Sequence, residues 1–504
     1  MKILKRVALA VAFILIISSV LLWGLTQSIS KDTLSEWINA RLSSIAGQPA
    51  RIEGGISWQL LPAPGVRAAK IRIGGDEPDI TIDDLLLRLD TASLLRAKPI
   101  FSAVIVDGVQ IQLRKSVKPA PTNKTPSTTA GASSVPAAFA IHKFMINRGS
   151  VIIDDGEQHI RLSNLQLSAD DLNLGNTRFP LQFKAKITAK TPSGEIVAPV
   201  RFTGHIRLDG NLLQNPEKAL SQLELNGQSS IQKLRINSVH VDSVESTLQA
   251  KNGVLTLKPL SIKLYGGTSV GMLLYQLNNR LLTLSQTANN LDTAKLAADA
   301  AGFGAFSGRM DFSLHASSRF DGSDVLKNIT GNGNLSIKDG ELRGIDLNAV
   351  LKRVSLQLDK LAKTTESTLQ PETAQDTKTA KTAFRLLSLS YSLRDGVLGL
   401  QPLLIQTDSL QLKGDGQLTL ETGALKARLN AVTQTEGVTL AVLQKSLGGN
   451  LPLLLTGTLS APVLMPDMQV LTPLLAREAV STLTKNPEVK KIGKQISALV
   501  KNLR

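Results

Sequence analysis

Residues 392–420 read SLRDGVLGLQPLLIQTDSLQLKGDGQLTL, and from Ser409 onward every second position is leucine or glycine. Leu410, Leu412, Gly414, Gly416, Leu418 and Leu420 fall on one face, and Ser409, Gln411, Lys413, Asp415, Gln417 and Thr419 on the other. A period of two marks a strand, whose successive side chains point to opposite faces of a sheet. The stretch begins with Asp395-Gly396, a pair suited to a tight hairpin turn, and Pro402 stands where a strand ends or kinks. A leucine face of this kind is stable only under an apolar cover.

The same pattern extends outward. Gln182–Lys190, QFKAKITAK, alternates without error, with Lys184, Lys186 and Lys190 opposite Phe183, Ala185 and Ile187. Leu223 and Leu225, Val239 and Val241, Leu255 and Leu257, and Leu335 and Ile337 repeat the spacing. Turn signals recur at Asp154-Asp155-Gly156, Asp209-Gly210, Asn252-Gly253, Asp339-Gly340 and Asp415-Gly416. GVLTLKPL from Gly253 echoes GVLGLQPL from Gly396, which favours a repeating, elongated sheet over one closed domain. Two stretches, Lys115–Ala138 and Thr364–Ala383, hold few large apolar residues and read as flexible loops.

Composition narrows the function classes. Aromatics make up 4% of the 504 residues and cysteine is absent, which excludes disulfides, thiolate metal sites and a cysteine nucleophile. The net charge is +16, but half of it sits in Lys2, Lys5, Arg6 and the last twenty residues. The remainder shows no basic-aromatic stripe, so the chain lacks the clustered footprint of a nucleic-acid binder. Residues 7–30 carry no charge and include VALAVAFILIISSVLLWGL, close to the ~20 apolar residues that a spanning helix needs. We assign residues 7–28 to a transmembrane anchor with a cytoplasmic tail at 1–6, the basic residues holding the N-terminus inside. A cleaved signal peptide is the rival reading, but its apolar region is usually shorter. Leu34, Ile38, Leu42 and Ile45 predict a helix over Lys31–Ala46. At the other end, residues 471–504 predict a basic amphipathic helical tail. Its Lys490, Lys491, Lys494, Lys501 and Arg504 suit either an anionic membrane surface or plain solvent.

No catalytic or metal constellation emerges. His142, His159, His205, His240 and His315 lie far apart without metal-ligand spacing. Gly267–Gly271 matches G-x-S-x-G, but that elbow needs a strand-turn-helix context, and the residues around Ser269 read as strand on both sides. The expectation is a non-enzymatic protein without cofactor or metal.

Two passages resemble the AsmA family of inner-membrane-anchored periplasmic proteins of Gram-negative bacteria. The first is the anchor, the short helix, the passage around Ile56, Trp58, Pro62 and Gly65, and ASLLRAKPIFSAVIVDGVQIQL. The second is GNGNLSIKDGELRGIDLNAVLKRV at Gly331–Val354, a strand, an Asp-Gly turn and Gly344-Ile345-Asp346-Leu347 opening a helix over 344–363. The family is similar to bridge-like lipid transfer proteins. The resemblance therefore implies a mainly β chain whose curled antiparallel sheet forms an open hydrophobic groove, where alternation alone would equally allow a sandwich. It divides the body into an N-terminal part (31–114), a central groove (139–363) and a C-terminal groove (384–470). It implies phospholipid carried between inner and outer membranes on a lining of Leu255, Leu257, Leu335, Ile337, Leu398, Leu400, Leu410, Leu412, Leu418 and Leu420. Some 20 to 25 strands at ~4.8 Å would extend on the order of 100 to 120 Å. The alternative is an assembly factor that binds outer-membrane protein precursors or other envelope proteins at sheet edges.

Overall fold

The computed structural model describes residues 49–470, apart from 60–63, 75–79, 91–100, 115–139, 210–220, 320–327, 350–379, 434–449 and a few isolated positions. The expected anchor, the helix at 31–46, the Lys115–Ala138 loop and the basic tail fall outside these residues. Among the described residues there are 23 strands, and no helix is long and apolar enough to cross a membrane. The protein is mainly β, as the alternation predicts.

The chain divides into two compact units, the first reaching Leu264 and adding Val270–Leu282, the second comprising Tyr265–Ser269 and the chain from Thr283. In the first unit β1 (Ala50–Ile52) and β2 (Ile56–Gln59) both pair with β3 (Gly65–Ile73). The ladder then runs through β4 (Ile80–Leu89) to β5 (Phe101–Asp107) and β6 (Gln110–Arg114). It continues through β7 (Ala140–Asp154), β8 (His159–Asn173), β9 (Gly175–Thr191), β10 (Gly194–Asp209), β11 (Glu224–Ile236), β12 (Val239–Lys251) and β13 (Val254–Leu264). β14 (Gly267–Gln276) and β15 (Leu281–Asp292) are each divided between the units.

In the second unit β16 (Arg309–Arg319), β17 (Thr330–Arg343), β18 (Lys381–Arg394) and β19 (Val397–Gln406) pair in sequence order. They are followed by β20 (Leu410–Thr419), β21 (Leu425–Thr433), β22 (Leu451–Gly457) and β23 (Pro462–Pro466). β18 begins at Lys381, so the last residues of the expected Thr364–Ala383 loop belong to a strand.

The strand pairings described above are antiparallel; against expectation, β5 and β6 both pair with β7 in parallel. The chain between Arg114 and Ala140 supplies the dozen or more residues that a parallel crossover needs. Gly108, at φ +66°, turns the chain between β5 and β6, and its N–H donates to the Asn147 carbonyl at 3.0 Å.

The sequence echo is an echo of structure. Asn252 and Gly253 have φ of 51° and 72°, and Asp395 and Gly396 have 50° and 74°. Positive φ at both central residues is what a type I′ hairpin requires, which explains the Asn-Gly and Asp-Gly pairs. Both copies carry a cis proline, Pro259 and Pro402, and the register slips beside each. Leu260 and Leu403, one residue later, are both buried.

Two expected turns are not turns. Asp339-Gly340 lies within β17 and Asp415-Gly416 within β20. A Cβ at Gly414 would collide with the Arg428 carbonyl, and one at Gly416 would come 2.5 Å from Ala427 Cβ. These glycines answer to close approach by the neighbouring strand.

The one longer helix described, α1 (Thr293–Ala301), was not apparent in the alternation. Asp292 caps it by accepting from Lys295 N, and Gly302 ends it in the left-handed region. At the expected 344–363 helix, Leu347–Ala349 is helical and Asp346 Oδ1 accepts from Ala349 N at 3.0 Å; the rest lies outside the described residues.

Candidate functional site: the apolar sheet face

Pairing lines up the apolar side chains of successive strands into rows. In the second unit one row runs Met310, Ile337, Leu387, Ile405, Leu412, Ala431, Leu451 across seven strands, each residue directly opposite the next. Every member is buried. The next row, Phe312, Leu335, Leu389, Leu403, Gly414, Leu429, Leu453, is buried at its far end and half-buried at Leu335 and Leu389. Farther along the strands Leu398 stands opposite Leu418, both half-buried, and Leu420 is 40% exposed. The apolar face therefore passes from buried at Leu412 to half-buried at Leu418 within β20, and to exposed at Leu420 just past its end.

The first unit shows the same passage across strands. One row runs Val66, Leu87, Val104, Phe144, Ala169, Leu181, Gly204, Gly227, Leu248, Leu257. Val66 to Ala169 are almost wholly buried, and every member from Leu181 on is half-exposed. The strands up to β9 enclose the cluster around Leu85, Val106, Phe144 and Phe179, whereas on β10–β13 this row is half-exposed, although Phe202, Ser246 and Leu260 in the neighbouring row are buried. A second row, Ile153, Ile160, Ala189, Ile196, Ile236, Val239, starts buried at Ile153 and reaches 39% exposure at Ile196.

Aromatic rings fill the places where a row lacks a side chain. The Phe202 ring lies over the Gly204–Gly227 pair, where a Cβ on either glycine would come 2.7 Å from its tip. Tyr391 covers Gly333 likewise, and its hydroxyl donates to the Ser313 carbonyl at 2.8 Å. Burial pushes the Tyr391 hydroxyl pKa up.

The ten residues expected as lining thus sort by position. Leu255 and Leu257 lie in the first unit, half-buried on β13; the other eight lie in the second. There Ile337, Leu400, Leu410 and Leu412 are buried, Leu335, Leu398 and Leu418 half-buried, and Leu420 exposed. The five basic tail residues lie outside the described residues. Ile196 and Ile236 were missed, although each sits at a strand end in an alternating run, because nothing in a single strand says which end of its apolar face stays open.

The opposite face is polar and charged. Arg201 stands directly across from Lys184, Arg235 pairs with Glu195 at 2.6 Å, and Lys338 with Asp311 at 3.3 Å. At the strand ends Glu224 accepts from Arg178 at 3.3 Å and pairs with Arg207 at 2.5 Å, with Lys251 Nζ 3.7 Å away. Of the histidines, His142 meets Asp171 and His159 meets Asp154, each as a single pair. Among the described residues no group of three or more His, Asp or Glu is placed to hold a metal ion. Ser269 lies in β14, buried, with its hydroxyl donating to Gln286 Oε1 at 2.7 Å.

In comparison with known proteins, residues 207–403 match the model of the AsmA family. The match covers β11 to β18 and most of β19, including both copies of the echo and the Gly331–Val354 passage. Comparisons with curated proteins and with solved structures returned no match.

Proposed function

From the AsmA-family segment at residues 207–403, we propose that the chain carries phospholipid along the apolar face of its β-sheet, between inner and outer membranes, in support of outer-membrane assembly and lipid homeostasis. In this reading the sheet curls into an open groove, residues 7–28 anchor it in the inner membrane as a single span, and the body stands in the periplasm. The observation that carries it is the passage from buried to half-exposed along apolar rows. Val66 to Ala169 lie under cover, and the row then continues half-exposed through Leu181, Leu248 and Leu257. A sandwich core would be buried along its whole length. Apolar surface left open over several strands gains ~25 cal/mol per Å² from any apolar cover, and acyl chains are a cover that can slide. No fixed polar group is needed, because the work is that of a continuous surface.

The test is purification of the full chain in mild detergent followed by native mass spectrometry. Bound phospholipid is expected; a lipid-free protein that takes up none on mixing with phospholipid overturns the reading.

The alternative, an assembly factor that pairs with envelope polypeptides, draws on β23. Among the described residues this strand pairs only with β22, and Val463 and Met465 are exposed on it. Pro462 and Pro466 bracket the strand, however, and remove donors from the edge that an added strand would need. We therefore keep lipid carriage as the main reading.

A further inference from the structure

The polar face of β8–β10 carries a block of positive charge that the fold does not neutralise. Lys184 on β9 stands directly opposite Arg201 on β10, and Lys186, in the next row, stands between Ser163 and Pro199. One row farther on, Arg161 of β8 is the direct partner of Thr188. All four cations are exposed, and all belong to the first unit. Like charges directly opposite one another destabilise a sheet. The same ladder shows how such a pair can be relieved, because Arg178 and Arg207 are also direct partners and the Glu224 carboxylate bridges them. Lys184 and Arg201 have no such bridge. Their row continues through Ser230 to Glu245, but Glu245 stands behind Ser230 and makes no ion pair with Arg201. Other carboxylates around the patch are engaged, Glu195 with Arg235 at 2.6 Å and Asp154 with His159 at 3.1 Å. Among the described residues none of the four cations is in an ion pair. Nor do these lysines guard a sheet edge, a common use of lysine on a strand, since β9 is paired on both sides.

We propose that Arg161, Lys184, Lys186 and Arg201 form a docking surface for an acidic polypeptide segment of a partner protein, whose carboxylates supply the missing counter-charge. Gln166 opposite Lys184, and the Gln182–Thr203 pair in the next row, offer donors and acceptors to its backbone. The apolar side chains in these rows are Val197 and Pro199, both half-buried. Neither is an aromatic or long aliphatic group that could enter a bilayer, and surface binding to lipid gains from buried apolar area. Exposed ion pairs are weak one by one, so the binding is a sum over the patch and falls with salt. Phe183, Ala185 and Ile187 point to the other side of β9, toward the apolar face. The two faces can therefore be occupied at once, and this inference does not rest on lipid carriage.

The test uses the full chain in mild detergent, with a short fluorescent polyglutamate peptide as the probe and a glycine-serine peptide of the same length as its neutral counterpart, read by anisotropy. The variant is Lys184→Gln/Arg201→Gln. Its control is Lys413→Gln/Lys426→Gln, which removes the same charge from exposed positions in the second unit. Polyglutamate should bind the parent protein and the glycine-serine peptide should not. Its affinity should fall about tenfold in Lys184→Gln/Arg201→Gln and stay near the parent value in the control. The same variant should unfold at a urea midpoint no lower than that of the parent, since it relieves a like-charge pair. A lower midpoint overturns the proposal, because the cations would then serve the fold. Equal weakening in variant and control also overturns it, since net charge alone would account for the binding. So does a parent protein that ignores polyglutamate and instead binds phosphatidylglycerol vesicles through Lys184 and Arg201, which would make the patch a membrane surface. Lipid-free protein that binds polyglutamate in the expected way leaves the docking surface standing and counts only against lipid carriage.

Discussion

Ile196 and Ile236 face one another directly across β10 and β11, and about two fifths of each is open to solvent. The row they belong to runs back through Ala189 and Ile160 to Ile153, which is buried. An apolar pair two fifths open on the same face as a core costs less to alter than a buried one, because the native state already leaves part of it hydrated. Ile236→Asp should change folding stability by no more than about 0.5 kcal/mol, as is usual at surface positions. It should nonetheless reduce lipid uptake, since a carboxylate then interrupts the apolar row.

Leu412 is the counterpart. It is 1% exposed, between Ile405 and Ala431. Leu412→Ala should cost about 2–5 kcal/mol through lost burial and the cavity left behind. Leu412→Asp should prevent stable folding, because a carboxylate at this buried position loses its hydration. Urea unfolding of the Ile236 and Leu412 variants side by side checks both expectations. If Leu412→Asp unfolds with the midpoint of the parent protein, the buried row is not a core.

Tyr391 ties β18 to β16 by way of Gly333, and its hydroxyl donates to the Ser313 carbonyl. Tyr391→Phe removes that donor and leaves the carbonyl without it, a loss of about 1 kcal/mol. Burial raises the folded-state pKa of this hydroxyl above its unfolded value. The folded state therefore holds the proton more tightly, and its contribution is complete below about pH 10 and lost as pH rises through the higher folded value. The parent protein should lose melting temperature above about pH 10 more steeply than Tyr391→Phe. Parallel alkaline limbs for the two proteins would count against the buried setting.

Much of the sheet was legible because its signal is local. Leu410, Leu412 and Leu418 share a face by period alone, and Asn252-Gly253 and Asp395-Gly396 make the turns that their residue types demand. What was not legible is set between strands. Gly416 read as a turn residue, yet it answers to Ala427 on β21, a neighbour that no window around Asp415 contains. The parallel pairing of β5 and β6 with β7 depends on how the long connection after Arg114 returns, which strand periodicity does not report. The cluster at Glu224 is likewise invisible in sequence, since Arg178, Arg207 and Lys251 come from three other strands. The lining residues were found as a face, but their division into buried and open required the rows.

Glu224 should also give the protein an acid-sensitive step. Its carboxyl is held below the ordinary range, so the stabilisation it brings is present above about pH 4.3 and is lost as pH falls toward the folded value. Glu224→Gln should lower the melting temperature at pH 7, where Arg178 and Arg207 then face each other without the bridge. The gap between variant and parent should narrow as pH drops from about 5 to 3. A gap that stays constant over this interval would mean that the carboxylate contributes nothing to the fold.

The choice between lipid and polypeptide as the occupant of the apolar face can be put to single positions. Leu418 and Gln417 are neighbours on β20, and their side chains point to opposite faces, Leu418 half-buried toward Leu398 and Leu425, and Gln417 exposed. A photo-reactive residue at 418 should form a phospholipid adduct in cells, and the same residue at 417 should form none. Leu257, on β13 in the other unit, should behave as 418 does, because it ends the half-exposed part of the row that begins at Leu181. The paired positions control for abundance and for labelling efficiency, since each variant differs only in the face it presents. Polypeptide adducts at both 418 and 257, with no lipid at either, would make the apolar face a protein-binding surface and replace lipid carriage by the assembly reading.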